Sequence, residues 1–390
     1  MKQGWEHKKL GEVCTIERGG SPRPITDYIT DSEDGINWIK IGDAKEGSKY
    51  ITSTKEKIRP EGIKKSRLVH KGDFILSNSM SFGRPYILKV DGCIHDGWLV
   101  IHDDNEVFIK DYLYYILSSS IMYAKFSQLA VGGVVNNLNS SLVRKVAIPI
   151  PPKSTQLSIV SELDKINELI RLKKEQLKDY DNLAQSIFYE MFGDPVENEK
   201  GWEVKKLGEV CTIERGSSPR PITAYITDSK DGINWIKIGD AQEGSKYITS
   251  TKEKIKPEGL KKSRFVYKGD FILSNSMSFG KPYILKIDGC IHDGWLVIHD
   301  NNNVFIKIYL YYLLASSIMY AKFSKLAVGG VVNNLNSSLV RKVDVSIPPL
   351  PLQHLFAQRI EQIEHQKSEV TKAITDLETL LASRMQHWFE

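Results

Sequence analysis

Cysteine is scarce in this chain, and long apolar runs are missing altogether. Only four cysteines occur among 390 residues, Cys14, Cys93, Cys211 and Cys290, and no two form a CxxC pair. That spacing excludes a dense disulfide framework and a zinc knuckle, and points to reduced, mostly buried thiols. No stretch approaches the ~18 uninterrupted apolar residues of a membrane span. The opening Met1-Lys2-Gln3-Gly4-Trp5-Glu6 has no apolar core of a secretory signal, so a cytoplasmic location is expected. A Walker A glycine loop is absent. So are a G-x-G-x-x-G turn between strand and helix and the Asn/Asp-Pro-Pro-aromatic tetrad of amino-methyltransferases. No ATP-driven motion and no chemistry of its own is expected, and no cofactor.

What the chain does contain is itself, almost twice. Residues 4–152 return at 201–349 with a constant offset of 197, and 129 of the 149 pairs are identical. The run Gly72 to Gly83 returns unchanged as Gly269 to Gly280. Units of this size are domains, since solenoid repeats span only ~20–50 residues. Two equal binding domains suit a target with two equal halves, and duplex DNA is the leading candidate.

The net charge of +5 is unevenly spread. Segment 153–200 holds 7 Lys/Arg and 10 Asp/Glu, and segment 350–390 holds 4 and 6. The remainder averages about +5 per repeat. Basic globules joined by acidic connectors fit a protein that binds phosphate. A charge of this size on one domain is also ordinary for a soluble protein.

Each repeat reads as mixed α/β with more strand than helix. Val69–Leu76, Tyr86–Val90 and Gly97–Ile101 have strand composition, and Asp111–Phe126 has helical spacing. The prolines of Ile148-Pro149-Ile150-Pro151-Pro152 mark the domain's end. After the first repeat, Ile159, Leu163, Ile166, Ile170, Lys173, Leu177, Tyr180, Ala184, Ile187 and Met191 alternate steps of 4 and 3. After the second, Phe356, Ile360, Ile363, Lys367, Val370, Ile374, Leu377 and Leu381 do the same. These are heptad seams on long helices. Lys173 and Lys367 occupy apolar slots, where a lysine either fixes register or runs its stem along the helix. The expected order is a domain at 1–152, a helix at 153–192, a linker at 193–200, a domain at 201–349 and a helix at 350–390. The short linker favours antiparallel pairing of the helices and an internal pseudo-two-fold.

With these segments placed, the chain resembles the specificity subunit of type I restriction-modification systems along its full length. The resemblance rests on Trp5-Glu6 with Lys9-Leu10-Gly11-Glu12-Val13, and on Gly19-Gly20-Ser21-Pro22-Arg23. It continues through Trp38-Ile39-Lys40-Ile41-Gly42-Asp43 and Lys71-Gly72-Asp73-Phe74-Ile75-Leu76. Asn137-Leu138-Asn139 and Met191-Phe192-Gly193-Asp194-Pro195 complete it. The resemblance implies an α+β fold with two target-recognition domains separated by an antiparallel coiled coil. Each domain would read half of a bipartite site in double-stranded DNA. The helices would hold the halves apart and dock methyltransferase (modification) subunits, expected to number two, with restriction/translocase subunits joining a larger complex. Such proteins commonly carry unlike recognition domains, whereas these two are nearly the same.

Three loops per repeat carry groups suited to bases or phosphates. The first holds Arg18 and Arg23, repeated as Arg215 and Arg220. The second holds Asn78, Ser79, Ser81 and Arg84, repeated as Asn275, Ser276, Ser278 and Lys281. The third holds Asn136 and Asn137, repeated as Asn333 and Asn334. Lys64, Lys65 and Arg67, with Lys261, Lys262 and Arg264, are candidate phosphate clamps. For any one of them, an ordinary solvated loop position is the competing reading. Two other classes of function stay in view. A freestanding DNA-binding protein would lack a methyltransferase partner. A nuclease would use His95-Asp96 and His102-Asp103 with Cys93, although the spacing supplies no full metal ligand set.

Overall fold

The computed structural model describes residues 4–45, 47–78, 83–130, 138–242, 244–275, 280–327 and 335–390. The chain divides into two compact units, Met1–Lys174 with Lys372–Glu390, and Glu175–Thr371. Each unit holds one repeat and parts of both long helices.

The first repeat contains strands β1 (Glu6–Lys9), β2 (Thr15–Arg18), β3 (Ile29–Thr30), β4 (Ile36–Ile39), β5 (Tyr50–Ile51) and β6 (Glu56–Ile58). They are followed by β7 (Arg67–Val69), β8 (Phe74–Ser77), β9 (Pro85–Leu88), β10 (Gly92–Ile94), β11 (Trp98–His102) and β12 (Ala147–Ile150). One sheet runs β2-β11-β8-β9-β5 and the other β3-β6-β4-β10-β7, while β1 pairs with β12 and ties the domain's two ends together. The second repeat has the same strand orders.

The sheet centred on β8 and β11 explains the unbroken apolar runs Phe74-Ile75-Leu76 and Leu99-Val100-Ile101. It is covered on both faces. Ile75, Val100 and Trp98 turn toward the other sheet with Ile39, Val69 and Ile94. Phe74, Leu76, Leu99 and Ile101 turn the other way, onto the helices with Tyr112, Leu113, Ile116 and Phe126.

Two sequence expectations divide in the structure. The stretch Val69–Leu76 is two strands in different sheets. Gly72, at φ +95, makes the turn between them, and the His70 amide donates to Asp73 Oδ2 at 2.8 Å. The helix expected over Asp111–Phe126 is two helices, Lys110–Ser118 and Ser120–Ala130. Ser119 is extended between them, and its Oγ accepts from the Met122 amide as an N-cap does.

The long helices are Lys153–Phe192 and Leu350–Phe389, of 40 residues each. They are antiparallel inside each unit. In the first unit Glu162 meets Arg384 and Lys174 meets Glu378; in the second Asp181 meets Lys367 and Phe188 meets Phe356. Of the seam residues, Ile159, Leu163, Ile166, Ile170, Phe356, Ile360, Ile363, Val370 and Ile374 are buried. Leu177, Tyr180 and Leu377 are half-buried. The outer ends of the seam serve the domains. Ile159 and Leu163 join the first domain's core, and Phe356, Ile360 and Ile363 join the second's. Beyond Ala184 the buried positions are Phe188 and Phe192, not Ile187 and Met191, because the helix there faces a domain core that takes steps of four. Lys367 donates to Asp181 at 2.6 Å, which favours the register-fixing reading of that slot.

All four cysteines are free and buried, and burial pushes the Cys14 and Cys211 thiols up to about 12. Among the described residues no helix is long and apolar enough to cross a membrane.

Candidate nucleic-acid interface

The loop after β2 must pass close to the turn between β10 and β11. A Cβ on Gly19 would stand 2.2 Å from the His95 carbonyl oxygen, so only glycine fits there. Gly20 leaves room for the Lys65 carbonyl, which would stand 2.9 Å from an added Cβ. The loop Arg18–Arg23, the Lys64-Lys65 segment and the His95–Gly97 turn are thereby brought side by side.

Asp96 sits at their junction. Its carboxylate accepts from Ser21 Oγ at 2.7 Å and from an Arg23 guanidinium nitrogen at 3.4 Å. Its backbone carbonyl accepts from Arg18 Nε at 3.0 Å and from Asn78 Nδ2 at 2.9 Å. The second repeat builds the same junction at Asp293, with Ser218 at 2.8 Å, Arg220 at 3.3 Å, and Arg215 and Asn275 each at 2.9 Å. The Ser21 hydrogen bond holds the Asp96 carboxyl below the usual carboxylate range. Asp293 is lowered as well: burial opposes the shift, and Ser218 and His292 outweigh it. Both acids are therefore charged at neutral pH. Arg23 and Arg220 remain about 80% exposed while paired, so their guanidinium groups face solvent.

The other candidates separate by environment. Lys64 and Lys261 are exposed. Lys65 and Lys262 donate to Tyr28 and Tyr225 hydroxyls at 2.7 and 2.8 Å and lie over the same rings. Arg67 and Arg264 are half-buried and paired with Glu17 and Glu214 at 3.1 and 2.9 Å, which makes them braces between strands rather than open phosphate clamps. Arg84 and Lys281 are exposed beside cavities of about 510 and 610 Å3 that include Tyr86, Tyr114 and Tyr123 in one repeat, and Tyr283, Tyr311 and Tyr320 in the other. Asn78 and Asn275 are only 1% exposed, with side-chain amides turned inward; their Oδ1 atoms are buried without a hydrogen-bond partner among the described residues. In this conformation they hold loops in place and do not present an edge to a base. Ser79, Ser81, Asn136 and Asn137, and Ser276, Ser278, Asn333 and Asn334, lie outside the described residues.

Under the arginine loop lies a cavity of about 610 Å3 lined by Pro22, Ile25, Ile29, Trp38 and His95, with an equivalent of about 720 Å3 in the second repeat. The Gly97 amide donates to His95 Nδ1 at 2.6 Å, and Gly294 donates likewise to His292. Burial lowers the pKa of both histidines. The His-Asp pair weighed as a nuclease is thus engaged in holding a turn. Among the described residues no group of three or more His, Cys, Asp and Glu is placed to hold a metal ion.

Sequence reasoning weighed Asp96 only as a nuclease partner and missed it as the centre of the loops. One signal was available: it is the only acid between Gly92 and Ile101, in a turn joining two apolar strands. Tyr28 gave none, since it is an ordinary loop residue until the fold places it.

A family model described as the type I restriction modification DNA specificity domain matches residues 2–179 and again 199–379. The chain belongs to that family. Among curated members, the type I restriction enzyme MjaIX specificity subunit of Methanocaldococcus jannaschii is 27% identical over 263 residues, covering 63% of this chain and 60% of that protein. The chain thus spans about three-fifths of that relative. The putative MjaX specificity subunit of the same organism is 24% identical over an alignment of 418 positions, covering 98% of this chain and 93% of that one. A solved chain from a study of complex assembly and conformational transition of the type I R-M system has a TM-score of 0.68 at 20% identity, covering 99% and 97% of the two chains. That likeness is one of fold, and it extends the family's two-domain α+β architecture to the whole chain.

Proposed function

We propose that this chain is the DNA-reading subunit of a type I restriction-modification complex and performs no catalysis itself. It reads a bipartite site in double-stranded DNA with two nearly identical half-sites, inverted with respect to each other. The observation that carries this reading is the duplicated junction. Arg18, Arg23, Asn78 and their repeats meet at Asp96 and Asp293 with distances that agree to about 0.1 Å. Junctions that match this closely present Arg23 and Arg220 in the same way, and dimeric readers of palindromes use the same logic. Arg23, Lys64, Lys65 and Arg84 with Arg220, Lys261, Lys262 and Lys281 are the exposed cations that meet the duplex. The long helices carry spacing and docking: Leu169, Leu172, Leu183, Leu355 and Leu380 stand 43–48% exposed along them, as a surface for methyltransferase subunits requires.

Methylation mapping of the host genome tests this. The expected motif is an interrupted palindrome or close to it. Two unrelated half-sites would refute the inverted arrangement, and loss of the chain with no change in methylation would refute the subunit reading in favour of a freestanding DNA-binding protein.

A further inference from the structure

The junction acid poses an electrostatic problem. A surface built to meet phosphate gains from every cation, yet the most exposed arginine of each repeat's first loop is held by a carboxylate. The pairing is loose, at 3.4 and 3.3 Å, and the arginines stay about 80% exposed. Such a contact adds little to folding stability. Nor does the loop need the charge to keep its shape. Arg18 and Asn78 bind the backbone carbonyl of Asp96, not its carboxylate, and a neutral amide oxygen at that position would still accept from Ser21.

We infer that Asp96 and Asp293 are positioning residues that restrain Arg23 and Arg220 on DNA of any sequence. Each acid aims its arginine and cancels part of its charge. Random DNA must then compete with a built-in carboxylate for every phosphate contact the arginine makes. At a cognate site, additional base contacts drive the exchange. The acid thus lowers non-specific affinity more than specific affinity, and the ratio between them rises. This inference rests on the DNA-reading function proposed above.

The test uses the full chain, with its methyltransferase subunits where the native complex is isolated, and compares Asp96→Asn with Asp293→Asn against wild type. The probes are the mapped methylation site and a random duplex of equal length, each over a salt series. Neutralising the acids should tighten random-duplex binding about 3–10-fold while changing cognate binding less. Each arginine released to a phosphate steepens the log–log salt slope by about 0.9, so two steepen it by up to about 1.8. In an Arg23→Ala with Arg220→Ala background the same change should have no effect, which a merely structural acid would not obey. An unchanged salt slope and unchanged random-duplex affinity, with the melting temperature retained, would overturn the inference. If the asparagine variant does not fold, the arginine variant decides by comparing the two duplexes: removing Arg23 and Arg220 must weaken cognate binding more than random-duplex binding, because the acid engages them on random DNA, and an equal loss on both overturns it. A wild-type complex that binds both duplexes equally would instead refute the DNA-reading function itself.

Discussion

The two repeats share one fold and the same junction at Asp96 and Asp293, yet they differ in charge. Residues 4–152 hold 20 Lys/Arg and 18 Asp/Glu, whereas residues 201–349 hold 21 and 14. The average of about +5 per repeat therefore conceals a first repeat near +2 and a second near +7. The changes are concentrated in acids. Ala224 stands where Asp27 does, Lys230 in place of Glu33, Asn301 in place of Asp104, Asn303 in place of Glu106 and Ile308 in place of Asp111. None of these alters the junction. The shape that reads has been kept apart from the field that attracts, and the second repeat is expected to supply most of the salt-dependent grip. The units also differ where the long helices close on them. In the second unit Phe188 and Phe192 pack with Phe356, Tyr309 and Tyr312. In the first, the corresponding helix end offers Met385 and Phe389.

The largest effect should come from that last difference. Phe188 is fully buried with five aromatic neighbours, so Phe188→Ala should cost about 3–5 kcal/mol. Met385 is only partly buried, and Met385→Ala should cost about 1–2 kcal/mol. Denaturant unfolding of the full chain measures both, and equal costs would mean that the two helix ends anchor their domains alike.

The buried asparagines come next. Asn78→Ala and Asn275→Ala each remove a hydrogen bond to the junction carbonyl and should each cost about 1–2 kcal/mol. Loss of sequence choice should follow through displaced loops. Lys64→Ala with Lys261→Ala should leave stability alone, weaken cognate and random DNA equally, and reduce the salt slope by about 0.9 per lysine. Unequal weakening of the two duplexes would make these lysines readers instead of clamps.

The charge difference can be exchanged directly. Asp27→Ala with Glu33→Lys should tighten random-duplex binding about 2–5-fold at low salt, and Ala224→Asp with Lys230→Glu should weaken it similarly, both effects fading as the Debye length shrinks to about 3 Å at 1 M salt. No response from either pair would place the asymmetry away from the DNA.

Much of the fold was legible because its determinants are periodic or duplicated. The repeat gave two domains, and the heptad seams gave two long helices whose middles behave as expected. The failures were local. Val69–Leu76 reads as one strand because Lys71-Gly72-Asp73 is a short polar gap in an apolar run, and only φ at Gly72 turns the chain into a second sheet. Phe188 and Phe192 stand one residue off the expected seam because a domain core, not a partner helix, sets the phase there. At the interface, residue type revealed the cations but not their state. Arg67 and Lys64 are alike in sequence, yet one is braced by Glu17, more than 40 residues away, and the other is exposed. A carboxylate's distance is a tertiary fact.

The smallest expected effect separates the units by pH. In the first unit the Glu162 carboxylate accepts from Arg384 and, at 2.9 Å, from Trp388 Nε1, and Trp388 stacks on Trp5 with ring centroids 6.5 Å apart. The second repeat has Arg359 at the position of Glu162, so this clasp belongs to one unit. The Arg384 hydrogen bond holds the Glu162 carboxyl below its ordinary value of 4.5. A carboxyl depressed on folding contributes stability that is present above 4.5 and lost as pH falls through the folded value. Glu162→Gln should therefore lower the melting temperature by roughly 1–2 °C at pH 7, a modest shift because the pair is partly exposed, and the gap to wild type should close in acid. The matched change Arg359→Gln should show no such closing. A gap for Glu162→Gln that is constant from pH 7 to pH 3 would mean that the clasp acts through shape alone and that charge does not distinguish how the two units are closed.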